Sequence, residues 1–179
     1  KCQMQMQMQM SDPNANVKFK LGDIVSTVIK CANGQTIMLS HDTNSPRPYS
    51  LNFRVQGTKG IWQKDNDSIY IDGKTPDHWW ESDEEYLKKF DHPLWKRFED
   101  QASGSGHGGM DFFIVRAFIE SLRNETSPPI DVYDAVSMSV ICPLSEQSIA
   151  NNSTSVEIPD FTRGKWKNNE PIFALTDKM

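Results

Sequence analysis

The apolar residues of this sequence change their spacing once. Up to Gly73 they alternate with polar residues, the two-residue period of a strand; beyond it they recur three and four positions apart, as on one side of a helix. Strands first and helices second is the signature of an α+β fold. The expected architecture is a largely antiparallel open sheet with helices packed on one face, formed by residues 1–179 as a single domain.

The strand half is punctuated by turn chemistry. Asp23 to Cys31 and Gln35 to Asp42 are rich in β-branched residues, and Asn33-Gly34 between them is a strong hairpin signal, so the two segments should pair antiparallel. A loop braced by Pro46 and Pro48 leads to a strand over Tyr49 to Gln56. Gly57 to Gly60 turns into Ile61-Trp62, and Ser68 to Ile71 follows. The meander is thus four or five strands long. Lys1 to Met10 alternates strictly and sets Met4, Met6, Met8 and Met10 on one side of an extended chain. Residues 1–21 are therefore a possible leading strand and loop, and a chain that opens inside such an element reads as a piece of a longer protein.

The helical half begins with Glu84 to Phe90 and Pro93 to Asp100, where proline suits a first turn. Gln101 to Gly109 is a glycine- and serine-rich loop. Over Met110 to Arg123, Met110, Phe113, Ile114, Ala117, Phe118 and Leu122 fall at helical spacing, and Phe112, Val115 and Ile119 fill a second stripe, which predicts a central, buried helix. Asp131 to Ala150 resumes a helix that Pro143 should kink. The tail is irregular, with one short strand at Val156 to Ile158.

Charge and cysteine usage exclude several classes. Lys and Arg total 19 against 24 Asp and Glu, an excess of five negative charges that disfavours a nucleic-acid partner. No apolar run approaches the roughly 18 residues of a membrane span. Cys2, Cys31 and Cys142 are odd in number and lack CxxC spacing, so they read as buried thiols rather than as a disulfide framework or zinc knuckle.

The chemistry-bearing motifs are few. Gly104-Ser105-Gly106-His107-Gly108-Gly109 matches GxGxxG and precedes a helix, but the segment before it is charged and helical, whereas a dinucleotide turn requires a buried strand there. The loop could instead present backbone N–H groups and His107 to a ligand, or be a plain flexible turn. His41, Asp42, Tyr49, His78, His92, His107 and Asp111 could handle protons, yet no spacing among them defines a nucleophile, base and orienter. His41-Asp42 lacks a third ligand of defined spacing and reads as a structural pair. His92 before Pro93 reads as a turn. Trp79-Trp80 is a sugar-stacking platform or a packed lid.

Six segments occur in an order that carries a resemblance: Ser45-Pro46-Arg47-Pro48-Tyr49-Ser50, Gly57-Thr58-Lys59-Gly60-Ile61-Trp62, Asp91-His92-Pro93-Leu94-Trp95-Lys96, Gly106-His107-Gly108-Gly109-Met110-Asp111, Pro143-Leu144-Ser145-Glu146-Gln147-Ser148 and Pro159-Asp160-Phe161-Thr162-Arg163-Gly164-Lys165-Trp166. Together they make residues 22–167 resemble the C-terminal domain of glycoside hydrolase family 109, the NAD-dependent α-N-acetylgalactosaminidases of the Gfo/Idh/MocA superfamily. Residues 168–179 are then a tail. The resemblance implies a Gfo/Idh/MocA C-terminal-domain fold without its Rossmann domain. It also implies a glycosidase in which NAD⁺ takes hydride from C3 of a terminal α-N-acetylgalactosamine, the C2 proton is lost, the aglycone is eliminated, and water addition with return of hydride regenerates the sugar. Such chemistry uses no pair of carboxylates, in keeping with the absence of an obvious pair here.

By the same resemblance the dinucleotide fingerprint, the base and most sugar contacts belong to a preceding half that this chain lacks. No residue here is then expected to be catalytic, to hold the cofactor or to bind metal, and the chain alone should be inactive and hold no NAD. Tyr49 is the expected sugar contact, with Arg47 and His107 placed near the site by their motifs. The expected partners are an N-acetylgalactosamine-containing glycan and a second copy, bound through the sheet face. The compartment stays open, the bacterial periplasm or cell envelope being one that the resemblance allows. Two other readings are a stand-alone sugar-binding or structural module, and part of a sugar oxidoreductase of the same superfamily.

Overall fold

The computed structural model describes residues 22–169 together with Pro13 and residues 16–18. The Met4 to Met10 alternation and residues 170–179 lie outside the described residues. The chain divides into two compact units, the first built from residues up to Pro46 and from Cys142–Val156, the second from Arg47–Ile141 and the residues from Glu157 on.

In the first unit, β1 (Ile24–Lys30) and β2 (Thr36–Asp42) pair antiparallel, with Ile24 opposite Asp42 and Lys30 opposite Thr36. Their connection shows how Asn33-Gly34 acts. The Gly34 N–H donates to the Cys31 carbonyl at 3.0 Å, closing a four-residue turn, and the Cys31 N–H donates to the Gln35 carbonyl at 2.8 Å. Gly34, at φ +92°, supplies the left-handed residue that returns the chain to the ladder, so the loop has three residues and ends in a glycine bulge. Along β1, Val25, Thr27 and Ile29 are half-buried while their neighbours are exposed. The half-buried side carries the tie to α5 (Ile141–Ala150), a 2.8 Å hydrogen bond between the Thr27 and Ser145 hydroxyls.

The second unit opens with a meander of β3 (Arg54–Gly57), β4 (Gly60–Gln63), β5 (Ser68–Ile71) and β6 (Glu81–Ser82), each strand antiparallel to the next. The strands thus form two open sheets rather than one continuous meander, within the α+β class that the sequence implied. β3 begins at Arg54, five residues later than the alternation from Tyr49 predicts. The helix α1 (Glu84–Phe90) runs on from β6. Trp62, Ile69 and Ile71 of the sheet, with Tyr86, Leu87 and Phe90 of α1, wall an open apolar cavity of about 550 Å³. At its edge the buried Asp83 carboxylate accepts the Trp62 indole N–H at 2.7 Å, which satisfies both polar groups.

The best-packed region is the pair α2 (Pro93–Ala102) and α3 (Met110–Arg123). Leu94, Phe98 and Ala102 recur every four residues along α2 and meet Phe113 of α3, with Trp95 and Phe112 against the cluster. The Trp95 and Phe113 rings meet edge-on with centroids 4.5 Å apart, and the Arg116 guanidinium stands 4.5 Å above the Phe98 ring. Phe113, Ala117 and Ser121 are the buried stripe of α3. The expectation of a helix buried on both stripes is corrected here: Ile114, Val115, Phe118 and Leu122 are each more than half exposed. Apolar spacing specifies which residues share a stripe; burial requires a partner element, and α3 has α2 packed against its Phe113 side.

Proline divides the last helical stretch as its chemistry demands. α4 (Val132–Ser139) ends at Val140 and α5 begins at Ile141, because Pro143 has no N–H for the Ser139 carbonyl and its ring crowds that oxygen. Asp131 starts α4 with a reciprocal capping box, its carboxylate accepting from the Tyr133 and Asp134 N–H groups while Asp134 accepts the Asp131 N–H. Two further expectations are corrected. Val156 to Ile158 pairs with no strand among the described residues, and two of the three thiols are not core residues, since Cys31 is half-buried and Cys142 exposed, while Cys2 lies outside the described residues.

Candidate functional site

The Tyr49 loop is built from the residues around it. Asp42, at the end of β2, accepts the backbone N–H groups of Asn44 and Ser45 on Oδ1. His41-Asp42 is thereby a turn support. After Pro46 and Pro48, whose rings fix φ, Tyr49 stands 90% exposed in the loop before β3. The next residues fold back on the 3-10 turn Lys64–Asn66. The Ser50 hydroxyl donates to the Asp65 carboxylate, 2.8 Å from each oxygen, and accepts the Asn52 N–H at 2.9 Å. The Lys64 N–H donates to the Phe53 carbonyl at 2.9 Å, and the Phe53 ring packs edge-on to Trp62, centroids 5.8 Å apart. Arg47 is exposed at the loop's start.

The His107 turn is built differently. Gly106 leads into the 3-10 turn His107–Gly109, with His107 at φ +53°, Gly108 at +68° and Gly109 at +99°, and α3 starts at once. His107 Nδ1 lies 3.0 Å from Asp111 Oδ1 and 3.1 Å from Oδ2. A Cβ at Gly106 would overlap Asp111 Oδ2, so glycine is what lets the carboxylate fold back over the turn. A Cβ at Gly109 would stand 3.1 Å from the Trp95 ring and 3.2 Å from the Ala102 carbonyl oxygen. An imidazole whose Nδ1–H is held by a carboxylate presents Nε2 as the proton-accepting atom, and the His107 side chain is 77% exposed.

This geometry decides what the glycine motif does. No strand precedes it, since α2 runs to Ala102, and the glycines at 106 and 109 make room for Asp111 and Trp95. The glycine motif therefore does not fit a dinucleotide pyrophosphate. Nor is any group of three or more His, Cys, Asp and Glu side chains among them placed to hold a metal ion.

The other candidates fall as follows. His92 caps α2, its Nδ1 accepting the Leu94 N–H at 3.2 Å, so the expected turn has a defined role. Trp79 and Trp80 are 71% and 45% exposed, so neither is packed as a lid by the described residues. In the Pro159 to Trp166 motif, the Asp160 carboxylate accepts the Thr162 hydroxyl at 2.7 Å and the N–H groups of Thr162 and Gly164 at 2.9 and 2.6 Å. These donors, the Thr162 hydroxyl foremost, hold its carboxyl below the usual range. No hydrogen bond, ion pair or ring contact joins Arg47, Tyr49 and His107 to one another among the described residues. The partnership of His107 with Asp111 escaped the sequence reading, although their four-residue spacing at a helix start was a visible signal.

Comparison with known proteins bears on the same segments. The chain is 56% identical to a glycosyl hydrolase family 109 protein of Stenotrophomonas maltophilia over 93% of its own length and 37% of the relative's. It is 50% identical to an α-N-acetylgalactosaminidase of Tannerella forsythia, with 91% of this chain and 35% of that protein covered. An α-N-acetylgalactosaminidase of Shewanella oneidensis is 42% identical over 87% of the chain and 35% of the relative. The chain thus spans little more than a third of these relatives' length. The model of the glycosyl hydrolase 109 C-terminal domain matches residues 2–168, which extends the likeness through the methionine-rich opening. This chain belongs to glycosyl hydrolase family 109, in which it corresponds to the C-terminal domain.

Proposed function

We propose that the chain is the substrate-side part of an enzyme that hydrolyses terminal α-N-acetylgalactosamine and uses NAD, the dinucleotide being held outside this chain. The observation that carries the reading is Tyr49, a phenol 90% exposed on a loop tied at Ser50 and Phe53, in a chain half identical to a protein named for this activity. A tyrosine so placed offers an apolar ring and one hydrogen-bonding tip, which suits a sugar face edged by hydroxyls. Arg47 adds guanidinium donors at the start of the same loop. His107 turns its exposed Nε2 edge outward as a hydrogen-bonding group for the sugar, while Asp111 holds Nδ1. The hydride chemistry is supplied by NAD when bound, and no step of the residues named here depends on it.

The test compares this chain alone with the same chain fused behind the N-terminal part of its Stenotrophomonas relative, each supplied with NAD and a chromogenic α-N-acetylgalactosaminide. The expected result is turnover by the fusion and none by the chain alone, which also carries no NAD after purification. Turnover by the chain alone, or an inactive but folded and NAD-loaded fusion, overturns the reading.

We also propose that two copies associate through the sheet face. Val28 and Met38 are cross-strand partners, 70% and 77% exposed, on the side of the hairpin opposite the Thr27 tie to α5. Light scattering at micromolar concentration tests this, and a monomeric mass refutes it.

A further inference from the structure

We propose that Asp65 is a positioning residue for Tyr49, acting through the Ser50 hydroxyl. The assignment rests on the reading that Tyr49 meets the sugar, and deepens it by naming what holds the phenol in place. Tyr49 is itself 90% exposed, so packing does not orient it. Its position is set by the backbone on either side, which Pro48 restricts before it and Ser50 anchors after it.

The Ser50 anchor has an unusual economy. One hydroxyl donates its proton between the two oxygens of Asp65, 2.8 Å from each, and its lone pair receives the Asn52 N–H at 2.9 Å. That last bond stabilises the turn in which Asn52 takes φ +45°, a conformation a non-glycine residue adopts at a cost. Asp65 in turn belongs to the 3-10 turn joining β4 to β5, so the anchor is the sheet itself. The flanking Lys64 N–H to Phe53 carbonyl bond sets the same two segments side by side. A carboxylate acceptor makes the Ser50 bond charge-assisted, stronger than one between neutral groups. Asp65 thus fixes the loop from outside, without touching Tyr49.

Titration with free N-acetylgalactosamine of this chain fused behind the N-terminal part of its Stenotrophomonas relative, followed by NMR at the Tyr49 ring and at the backbone of residues 49–53, tests the assignment. Asp65→Ala and Ser50→Ala should each weaken binding by roughly two- to tenfold and lower the order parameters of residues 49–52, with a fall in melting temperature of no more than about 4 °C. Ser50→Thr, which keeps the hydroxyl, should restore both. Placed on top of Tyr49→Ala, which removes ring and hydroxyl together, Asp65→Ala should add no further loss, since a residue acting through Tyr49 has nothing left to act on. An additive loss in that double variant, or full affinity in Asp65→Ala while Tyr49→Phe is weakened, overturns the positioning role and leaves Tyr49 as a sugar contact. A wild-type fusion whose Tyr49 signals do not respond to the sugar, or Tyr49→Phe with unchanged affinity, overturns the substrate reading and this assignment with it.

Discussion

The turn that carries His107 rests on a packed core, whereas the loop that carries Tyr49 rests on hydrogen bonds among exposed side chains. Behind His107, Gly109 sits against the Trp95 ring and the Ala102 carbonyl, and Ala102 is fully buried in the cluster of Leu94, Phe98 and Phe113. Behind Tyr49 stand Ser50, Asn52 and Asp65, linked through one hydroxyl. The two supports differ in what they resist. Close packing resists any change of shape because many dispersion contacts are lost together, while a short polar chain resists displacement yet yields at the loss of a single donor. Damage to the first should appear as lost stability, and damage to the second as lost precision.

The comparison breaks or sharpens most clearly at Phe98. Phe98→Ala removes a ring that is 7% exposed and lies under the Arg116 guanidinium, and should cost about 3–5 kcal/mol. Phe53→Ala, on the Tyr49 side and 54% exposed, should cost about 1 kcal/mol or less. Urea midpoints measure both, and equal losses would erase the distinction. Next in size is Gly109→Ala, which places a methyl group against Trp95 at φ +99° and should cost about 2–4 kcal/mol from the backbone conformation and overpacking together.

Gly106→Ala probes the finer structure of the same turn. Gly106 has φ −58°, which alanine adopts freely, so the fold should lose only about 1 kcal/mol. The new methyl group nevertheless displaces the Asp111 carboxylate and frees the imidazole. For the neutral ring, imidazole ¹⁵N shifts should show the Nδ1–H tautomer in the wild-type chain and a tautomer mixture in the variant; an unchanged ring would mean that Asp111 does not orient it.

The smallest effect belongs to Asp160, whose hydrogen bonds repeat the exposed, polar manner of support. Its carboxyl is held below the ordinary value by the Thr162 hydroxyl and the Gly164 and Thr162 N–H groups, so the folded state binds its proton less readily than the unfolded chain. The stabilisation is complete above the unfolded value, near pH 4, and is lost as pH falls through the lower folded value. The Gly164 amide proton should move upfield over that acidic window, with no change between pH 5 and 8. Asp160→Asn should show little of this titration at Gly164.

Much of the fold and part of the candidate site were legible in the residues themselves. The bounds of α1 and α3, the break before Pro143 and the β1–β2 hairpin follow from choices made within a few residues: proline without an N–H, glycine able to take positive φ, side chains repeating at helical spacing. The Tyr49 motif stood out through its resemblance to the family, carried by residues contiguous in the chain. Its support by Asp65, fifteen positions away, did not, because nothing near Ser50 in the chain announces its acceptor.

The sequence by itself determined the α+β class, the family and the order of strands and helices, all of which depend on local period and on motifs that are contiguous in the chain. Tertiary structure alone decided that the strands divide into two sheets, that α3 buries its Phe113, Ala117 and Ser121 stripe, that Val156 to Ile158 stays unpaired among the described residues and that Gly106 and Gly109 serve Asp111 and Trp95. The physical reason is one of partners. A residue's backbone preference is set by its own side chain and its neighbours, but burial, strand pairing and the use of a glycine's missing Cβ are settled by whatever the fold brings against it from elsewhere in the chain.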